Sequence, residues 1–296
     1  MKNLIGLYEK ALPGNMEWVE RLQTIKELGF DFMELSIDES DMRLSRLYWS
    51  KKERQSLLKA IWDTGVPILS MCLSCLRRYA LGSRCSAIRQ KAIELITRGI
   101  DLACDIGVRV IQIPGYDVYY EQSGNDTCNF FLDSLQKAVF IAERKQVMLG
   151  VETIDTPFIN SVEKYLYFDR LISSPWLGVY PDIGNLDAWG NDVSRELTAA
   201  RHRIVGVHVK DTRRRSSSFQ GQFRGVSFGD GNVDFVKVFT TLKELKYSGP
   251  LVIEIWGDKV ADPIGEIIYS RQFVLDILDK VYDETQNLDT KGHVKS

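Results

Sequence analysis

Met148-Leu149-Gly150-Val151-Glu152-Thr153-Ile154 is a short, nearly continuous apolar run closed near its end by a single carboxylate. Runs of this kind suit strands buried on both faces, as in parallel sheets, better than half-exposed strands that alternate in polarity. The pattern recurs at Ile5–Glu9, Phe32–Ile37, Ile68–Ser74, Val110–Pro114, Gly178–Ile183, Ile204–Val209 and Leu251–Trp256, which makes eight candidate strands. Amphipathic stretches separate them. Trp18, Leu22, Ile25 and Leu28 repeat at helical spacing, and Ser50-x-x-Glu53 has the form of a capping box ahead of Leu57, Leu58 and Ile61. Ile264, Ile267, Ile268, Val274, Leu275 and Leu278 mark one face of a last helix, with Pro263 near its start. Gly29, Gly65, Gly107 and Gly249 follow or close helical patterns, as helix C-termini prefer.

Strand-plus-helix units without a break in composition predict one α/β domain, a single (β/α)8 barrel over residues 1–282. A doubly wound open sheet is the competing architecture. It lacks its Gly-rich fingerprint here, since Tyr8-Glu9-Lys10-Ala11-Leu12-Pro13 stands after the first strand. The polar segment 283–296 has no apolar period and is expected to fray. The stretch from Asp211 to Asn232 is longer than an ordinary connector, which raises the expectation of a functional loop.

Composition narrows the functional classes. The 296 residues carry 38 Lys and Arg against 40 Asp and Glu, and the net charge of -2 argues against a nucleic-acid binder. No run approaches the ~18 apolar residues of a membrane span, and Met1-Lys2-Asn3-Leu4-Ile5-Gly6 lacks the apolar segment of a secretory signal, so export is not expected. Five cysteines without a repeated spacing do not form a disulfide framework, so a reducing, cytoplasmic setting is expected. Cys72 and Cys75 form a C-x-x-C on a predicted strand end, where their side chains point to opposite faces and suit packing better than redox or zinc chemistry.

In an α/β barrel, chemistry is built at the C-terminal ends of the strands. Glu152, Asp182, His208 and Glu254 fall there, on the fifth to eighth strands, each among apolar neighbours where an unpaired charge is costly. One carboxylate near a strand end is ordinarily a helix cap or an ion-pair partner, and a lone histidine ordinarily a structural one. Four on successive strands at matching depth predict a shared divalent cation, and the oxygen-rich set suits Mn²⁺, Mg²⁺, Co²⁺ or Zn²⁺. Such an ion polarises a ketose carbonyl and stabilises a cis-enediolate. Glu152 and Glu254, three strands apart around the ring, are placed to take a proton from one face of a carbon and return one to the other.

Basic residues supply an anion site. Arg77 and Arg78 follow the third strand, and Arg213-Arg214-Arg215 and Arg224 lie in the long loop after the seventh. Arg224 and Arg77 are the better phosphate ligands, and the triple arginine also fits a solvated surface run. Gly229-Asp230-Gly231-Asn232 opens a helix whose N-terminus suits an anion, although Asp230 opposes it. Lys210 shares the face of His208 and is expected to bond substrate oxygens.

Several longer motifs carry a resemblance. Gly6-Leu7-Tyr8-Glu9-Lys10-Ala11-Leu12-Pro13, Gly29 through Glu39, Arg43-Leu44-Ser45-Arg46-Leu47, Ala188-Trp189-Gly190-Asn191-Asp192-Val193 and Gly221-Gln222-Phe223-Arg224 resemble bacterial L-xylulose/L-ribulose 5-phosphate 3-epimerases, a group also labelled hexulose-6-phosphate isomerases. The similarity runs from about residue 4 to about residue 280. It implies a xylose-isomerase-like TIM barrel, one divalent metal held by Glu152, Asp182, His208 and Glu254, and Glu152 and Glu254 as the acid/base pair. It further implies 3-epimerisation of a ketopentose 5-phosphate in pentose or L-ascorbate breakdown, with a small sugar phosphate as partner. Barrels of this kind commonly pair, so a homodimer is expected. Related sequences read Ser-Ala-His-Arg-Arg where this chain has Ser74-Cys75-Leu76-Arg77-Arg78, and a histidine at position 76 would be expected to face substrate. Ser227 stands where a proline is usual.

Other activities fit the same barrel. An aldose–ketose isomerase or an inosose dehydratase also passes through an enediol, and the loss of histidine at position 76 suits a non-catalytic sugar-phosphate binder. A zinc nuclease for damaged DNA would need many histidines, whereas this chain has His202, His208 and His293.

Overall fold

The computed structural model describes the backbone of residues 3–292 and the side chains of residues 3–283. All eight predicted strands form: β1 (Ile5–Tyr8), β2 (Phe32–Ser36), β3 (Ile68–Cys72), β4 (Val110–Pro114), β5 (Met148–Glu152), β6 (Leu177–Tyr180), β7 (Val207–Val209) and β8 (Leu251–Ile253). They pair in parallel in the order β6-β5-β4-β3-β2-β1-β8-β7. The last seam, between β6 and β7, is joined by isolated bridges at Val179–Ile204 and Asp182–His208, so the cylinder is nearly closed. An open doubly wound sheet is thereby excluded.

Successive side chains on each strand alternate between the helical shell and the barrel interior. Leu7, Met33, Leu35, Met71, Ile111, Val151 and Val179 join the large core under the helices. Tyr8, Phe32, Cys72, Tyr180 and Val252 form a second, separate apolar cluster inside the cylinder. Cys72 closes β3 facing the interior, whereas Cys75 lies past the strand on the turn Ser74–Arg77 and packs in the outer core, so the C-x-x-C pair is divided, but by the turn and not by a strand period. The interior is tight enough that a Cβ at Gly6 would overlap the ring of Phe32.

Local signals account for several helix limits. Ser50 and Glu53 close a reciprocal capping box on the helix Lys51–Thr64, and Gly65 ends it in a left-handed conformation. Gly107 does the same for Ser86–Ile106. Gly249 does not: after the helix Phe235–Glu244 the positive φ falls on Lys246 instead, three residues earlier. The terminal helix runs Pro263–Gly292, past its last apolar position into the polar segment expected to fray. Helical hydrogen bonding continues there because no proline or glycine interrupts residues 266–291, and residues 293–296 lie outside the described residues. The described residues contain no helix long and apolar enough to cross a membrane.

Gly6→Ala should destabilise the barrel by ~1–3 kcal/mol, because the added methyl must displace a fully buried ring. Urea unfolding measures the loss, and Phe32→Leu in the same chain should recover part of it. An unchanged midpoint for Gly6→Ala would show that the interior at β1 and β2 is looser than this packing.

Candidate active site

The chemistry-bearing residues emerge from the strand ends in the positions the barrel dictates. Glu152 closes β5, His208 is the middle residue of β7, Glu254 follows β8 directly, and Asp182 lies two residues past β6. One donor atom from each of the four lies within 4.8 Å of the others, and all four residues are buried. Asp182 is also the helix cap that a strand-end carboxylate often is. Its Oδ1 accepts from the backbone amide of Asn185 at 2.9 Å, which leaves Oδ2 directed into the cluster.

Lys210 completes the group. Its Nζ stands 2.6 Å from Asp182 Oδ2 and donates to Glu254 Oε2 at 2.9 Å. The ammonium is thus engaged by protein carboxylates, and it also lines the cavity where it was expected to meet substrate oxygens. His208 Nδ1 lies 2.9 Å from Glu152 Oε1 and 3.8 Å from Glu254 Oε2.

Burial and mutual pairing set the protonation of these groups. Burial pushes the Asp182 carboxyl up to about 7, against the pull of Lys210 and with the push of Glu254 and Glu152. For Glu254 burial acts upward too, but Lys210 and His208 outweigh it and hold the carboxyl down to about 2. Burial works against a charge on His208, yet Glu34 and Glu254 raise its affinity for a proton well above the ordinary histidine range. Lys210 is driven upward in the same way by Asp182 and Glu254.

The donor set fits a divalent cation. Three carboxylates and one imidazole converge, an oxygen-rich donor set of the kind that holds divalent ions. A buried cluster of this composition can bind a metal ion. It does not distinguish among Mn²⁺, Mg²⁺, Co²⁺ and Zn²⁺.

Above the cluster a small cavity is lined by Tyr8, Lys10, Ser74, Asn185 and Trp256, with Arg77 and Arg224 at its rim. Arg224 donates to Asp155 Oδ2 at 2.9 Å and lies over the Trp256 ring. Arg77 lies against Tyr116 and Tyr119, Tyr116 in turn donates to Asp155, and Arg77 Nε is buried with no partner among the described atoms. Arg224 thus pairs with Asp155 directly, whereas Arg77 reaches it only through Tyr116 and has its own carboxylate neighbour in Glu39 at 3.9 Å.

Other sequence expectations are corrected. Arg78 is exposed and stacked on Tyr79, outside the cavity, because neighbouring residues on the tight turn Ser74–Arg77 and its cap diverge. Leu76 is 2% exposed in the outer core and does not line the cavity, so position 76 does not face the site as was expected of a histidine there. Among the triple arginines, Arg214 pairs with Asp187 and Arg215 covers Trp189, which fastens the long loop to the helix Ile183–Ala188. The amides of Gly229, Gly231 and Val233 are not open to an anion. The buried carboxylate of Asp211 accepts all three, at 2.9, 2.9 and 3.2 Å. Ser227 bonds Glu266 through its hydroxyl, a contact a proline could not make.

Sequence reasoning missed Glu34, Tyr180, Lys10, Asp155 and Tyr116. Only Glu34 carried a visible signal, a carboxylate inside the apolar run Phe32-Met33-Glu34-Leu35-Ser36.

Comparisons with known proteins agree with this geometry. A family model described as xylose isomerase-like TIM barrel matches residues 22–277. A putative L-ribulose-5-phosphate 3-epimerase SgbU of Haemophilus influenzae is 47% identical, over 94% of this chain and 98% of that protein. The L-ribulose-5-phosphate 3-epimerase UlaE of Escherichia coli O157:H7 is 49% identical, over 91% of this chain and 93% of its own length. Among solved structures, an L-ribulose 3-epimerase superposes with a TM-score of 0.77 at 20% identity, covering 97% of this chain and 98% of its own, and at that identity it speaks to the fold alone.

Lys210→Met should remove one of the two cations that balance the carboxylates of Glu34, Glu152, Asp182 and Glu254. The metal-free protein should lose ~3–5 kcal/mol at pH 7, since a buried ion pair broken on one side leaves an uncompensated charge. Chemical denaturation checks this. A loss below ~1 kcal/mol would mean that the carboxylates already neutralise themselves by taking up protons.

Proposed function

This chain belongs to the L-ribulose-5-phosphate 3-epimerase family of xylose isomerase-like TIM barrels, and from that premise we propose that it interconverts L-xylulose 5-phosphate and L-ribulose 5-phosphate. It is an isomerase-class enzyme, and the reaction is inversion at C3 of a ketopentose phosphate. One observation carries this reading. Glu152 and Glu254 approach the same point near His208 Nδ1 from strands three apart, beneath a cavity rimmed by Arg77 and Arg224.

The proposed site residues divide by task. Glu152, Asp182, His208 and Glu254 would hold one divalent ion. The chemistry such an ion supplies when bound is Lewis acidity at the ketose C2 carbonyl. Loss of the C3 proton to one glutamate leaves the bonding electrons shared through C2 and its oxygen as a cis-enediolate. The other glutamate then delivers a proton to the opposite face of C3, and the ketose reforms with inverted configuration. Each epimer presents its C3 proton to a different face, so the base of one direction is the acid of the other.

Lys210 would keep Glu254 ionised and correctly turned, since its ammonium bonds Oε2 directly. Trp256 and Tyr8 form an apolar wall over which the carbon chain can lie, and they restrict water at C3. Arg77 and Arg224 would take the 5-phosphate. The unpartnered Nε of Arg77 supports that role, as does the position of both groups at the rim rather than at the carboxylate cluster.

Incubated with L-xylulose 5-phosphate in D₂O and a divalent ion, the protein should exchange the C3 proton for deuterium and yield a second ketose. Glu152→Gln or Glu254→Gln should abolish both, with a drop of at least ~100-fold. Full exchange in either variant removes that glutamate from the reaction, and an aldose in the NMR spectrum would replace epimerisation by isomerisation.

Arg77→Gln and Arg224→Gln should each raise KM for the phosphorylated sugar by ~10–100-fold, the equivalent of losing one or two charge-assisted hydrogen bonds. The unphosphorylated ketopentose should be affected far less. An equal effect on both sugars would move the phosphate elsewhere.

A further inference from the structure

The interior of the barrel holds a carboxylate that the proposed proton transfers do not use. Glu34 sits in the middle of β2, is 0% exposed and lies below the cavity rather than in its lining. Both of its oxygens are committed. Oε1 lies 2.6 Å from His208 Nε2, and Oε2 accepts from Ser70 Oγ at 2.6 Å and from the Tyr180 hydroxyl at 2.8 Å. A carboxylate that receives two hydroxyl donors on one oxygen acts as the acceptor for the imidazole on the other, so the shared proton belongs to Nε2. Nδ1 is then the ring nitrogen left facing Glu152 and Glu254, in the cluster that Asp182 completes.

The ring is also confined sterically. The Tyr180 ring packs edge-on against His208 with centroids 4.8 Å apart, and the Tyr8 ring lies at 6.2 Å on a tilted plane. A half-turn of the ring about its Cβ–Cγ bond would put carbon where each nitrogen now stands, and so break the contacts to both Glu34 and Glu152.

We propose that Glu34 is a positioning residue that fixes the orientation and tautomer of His208, with Ser70 and Tyr180 holding Glu34 in turn. Partners of this kind behind a ligating histidine raise its basicity and aim its lone pair, and their loss typically weakens metal binding by roughly 10–100-fold. The inference rests on the cation assigned to the cluster under the proposed function. The residues themselves span four strands, β2, β3, β6 and β7, so the chain of contacts links a ligand on one side of the barrel to a strand on the other.

Zinc titration by calorimetry tests it, alongside ¹⁵N NMR of the imidazoles, which is tractable because the chain has three histidines. In the wild-type protein the His208 Nε2 proton should be protected and strongly downfield, with and without zinc. Glu34→Gln should weaken zinc binding by roughly 10–100-fold and disturb that proton. In a His208→Ala background the same change should have no further effect on the zinc constant, which a merely structural role would not predict. Tyr180→Phe removes one hydroxyl from Glu34 and should lower zinc affinity several-fold, so it carries the test if Glu34→Gln fails to fold. Unchanged zinc affinity in the folded variants, or a Nε2 proton that exchanges freely in the wild type, overturns the proposal. A protected Nε2 proton in a wild-type protein that binds no zinc, Mn²⁺ or Mg²⁺ would instead overturn the cation and leave the role of Glu34 in orienting His208 standing.

Discussion

The constraint on which this molecule depends is electrostatic balance inside a closed apolar cylinder. Glu34, Glu152, Asp182 and Glu254 are withdrawn from water within a few residues' reach of one another, with Lys210 and His208 among them. Such an arrangement survives only if every charge finds an opposite charge or a proton. The opposed behaviour of Asp182 and Glu254 follows from this. Two acids share one ammonium, and the carboxyl that gains more from Lys210 and His208 stays ionised while the more confined one tends to keep its proton.

The interior is layered. At the bottom, Phe32 and Val252 fill the cylinder, and Gly6 leaves room for the phenyl ring. In the middle, Glu34, Ser70, Tyr180 and His208 form a polar belt in which each group is satisfied by the next. At the top, the carboxylates and Lys210 open onto the cavity with its arginine rim.

Much of this was legible in the chain. Strands showed as apolar runs, and the four cluster residues showed because each interrupts such a run near its end. What depended on direction was harder. Glu34 interrupts a run at its middle, where no loop follows, and its meaning rests on Tyr180, 146 residues away. Arg77 and Arg78 look equivalent in sequence, yet a single tight turn sends one to the cavity and one to solvent. Leu76 on the same turn points into the core, so its place in sequence beside Arg77 does not put it in the site. The glycines at 229 and 231 suggested an anion cradle, but their amides are filled by Asp211, a partner that no local pattern reveals.

The seam between β6 and β7 is paired unlike any other in the cylinder. Every other neighbouring pair of strands shares a ladder, whereas this one is stitched at two points, and one stitch is the backbone of Asp182 against that of His208. The join that makes the sheet circular is therefore also the hinge line on which two of the converging side chains are mounted. Insertions or strain on the outer helices near this edge would be transmitted straight to the spacing of those groups, while comparable changes around β4 and β5 would be absorbed by an unbroken ladder. Tolerance to sequence drift should accordingly be uneven around the ring, least where the circle is drawn shut.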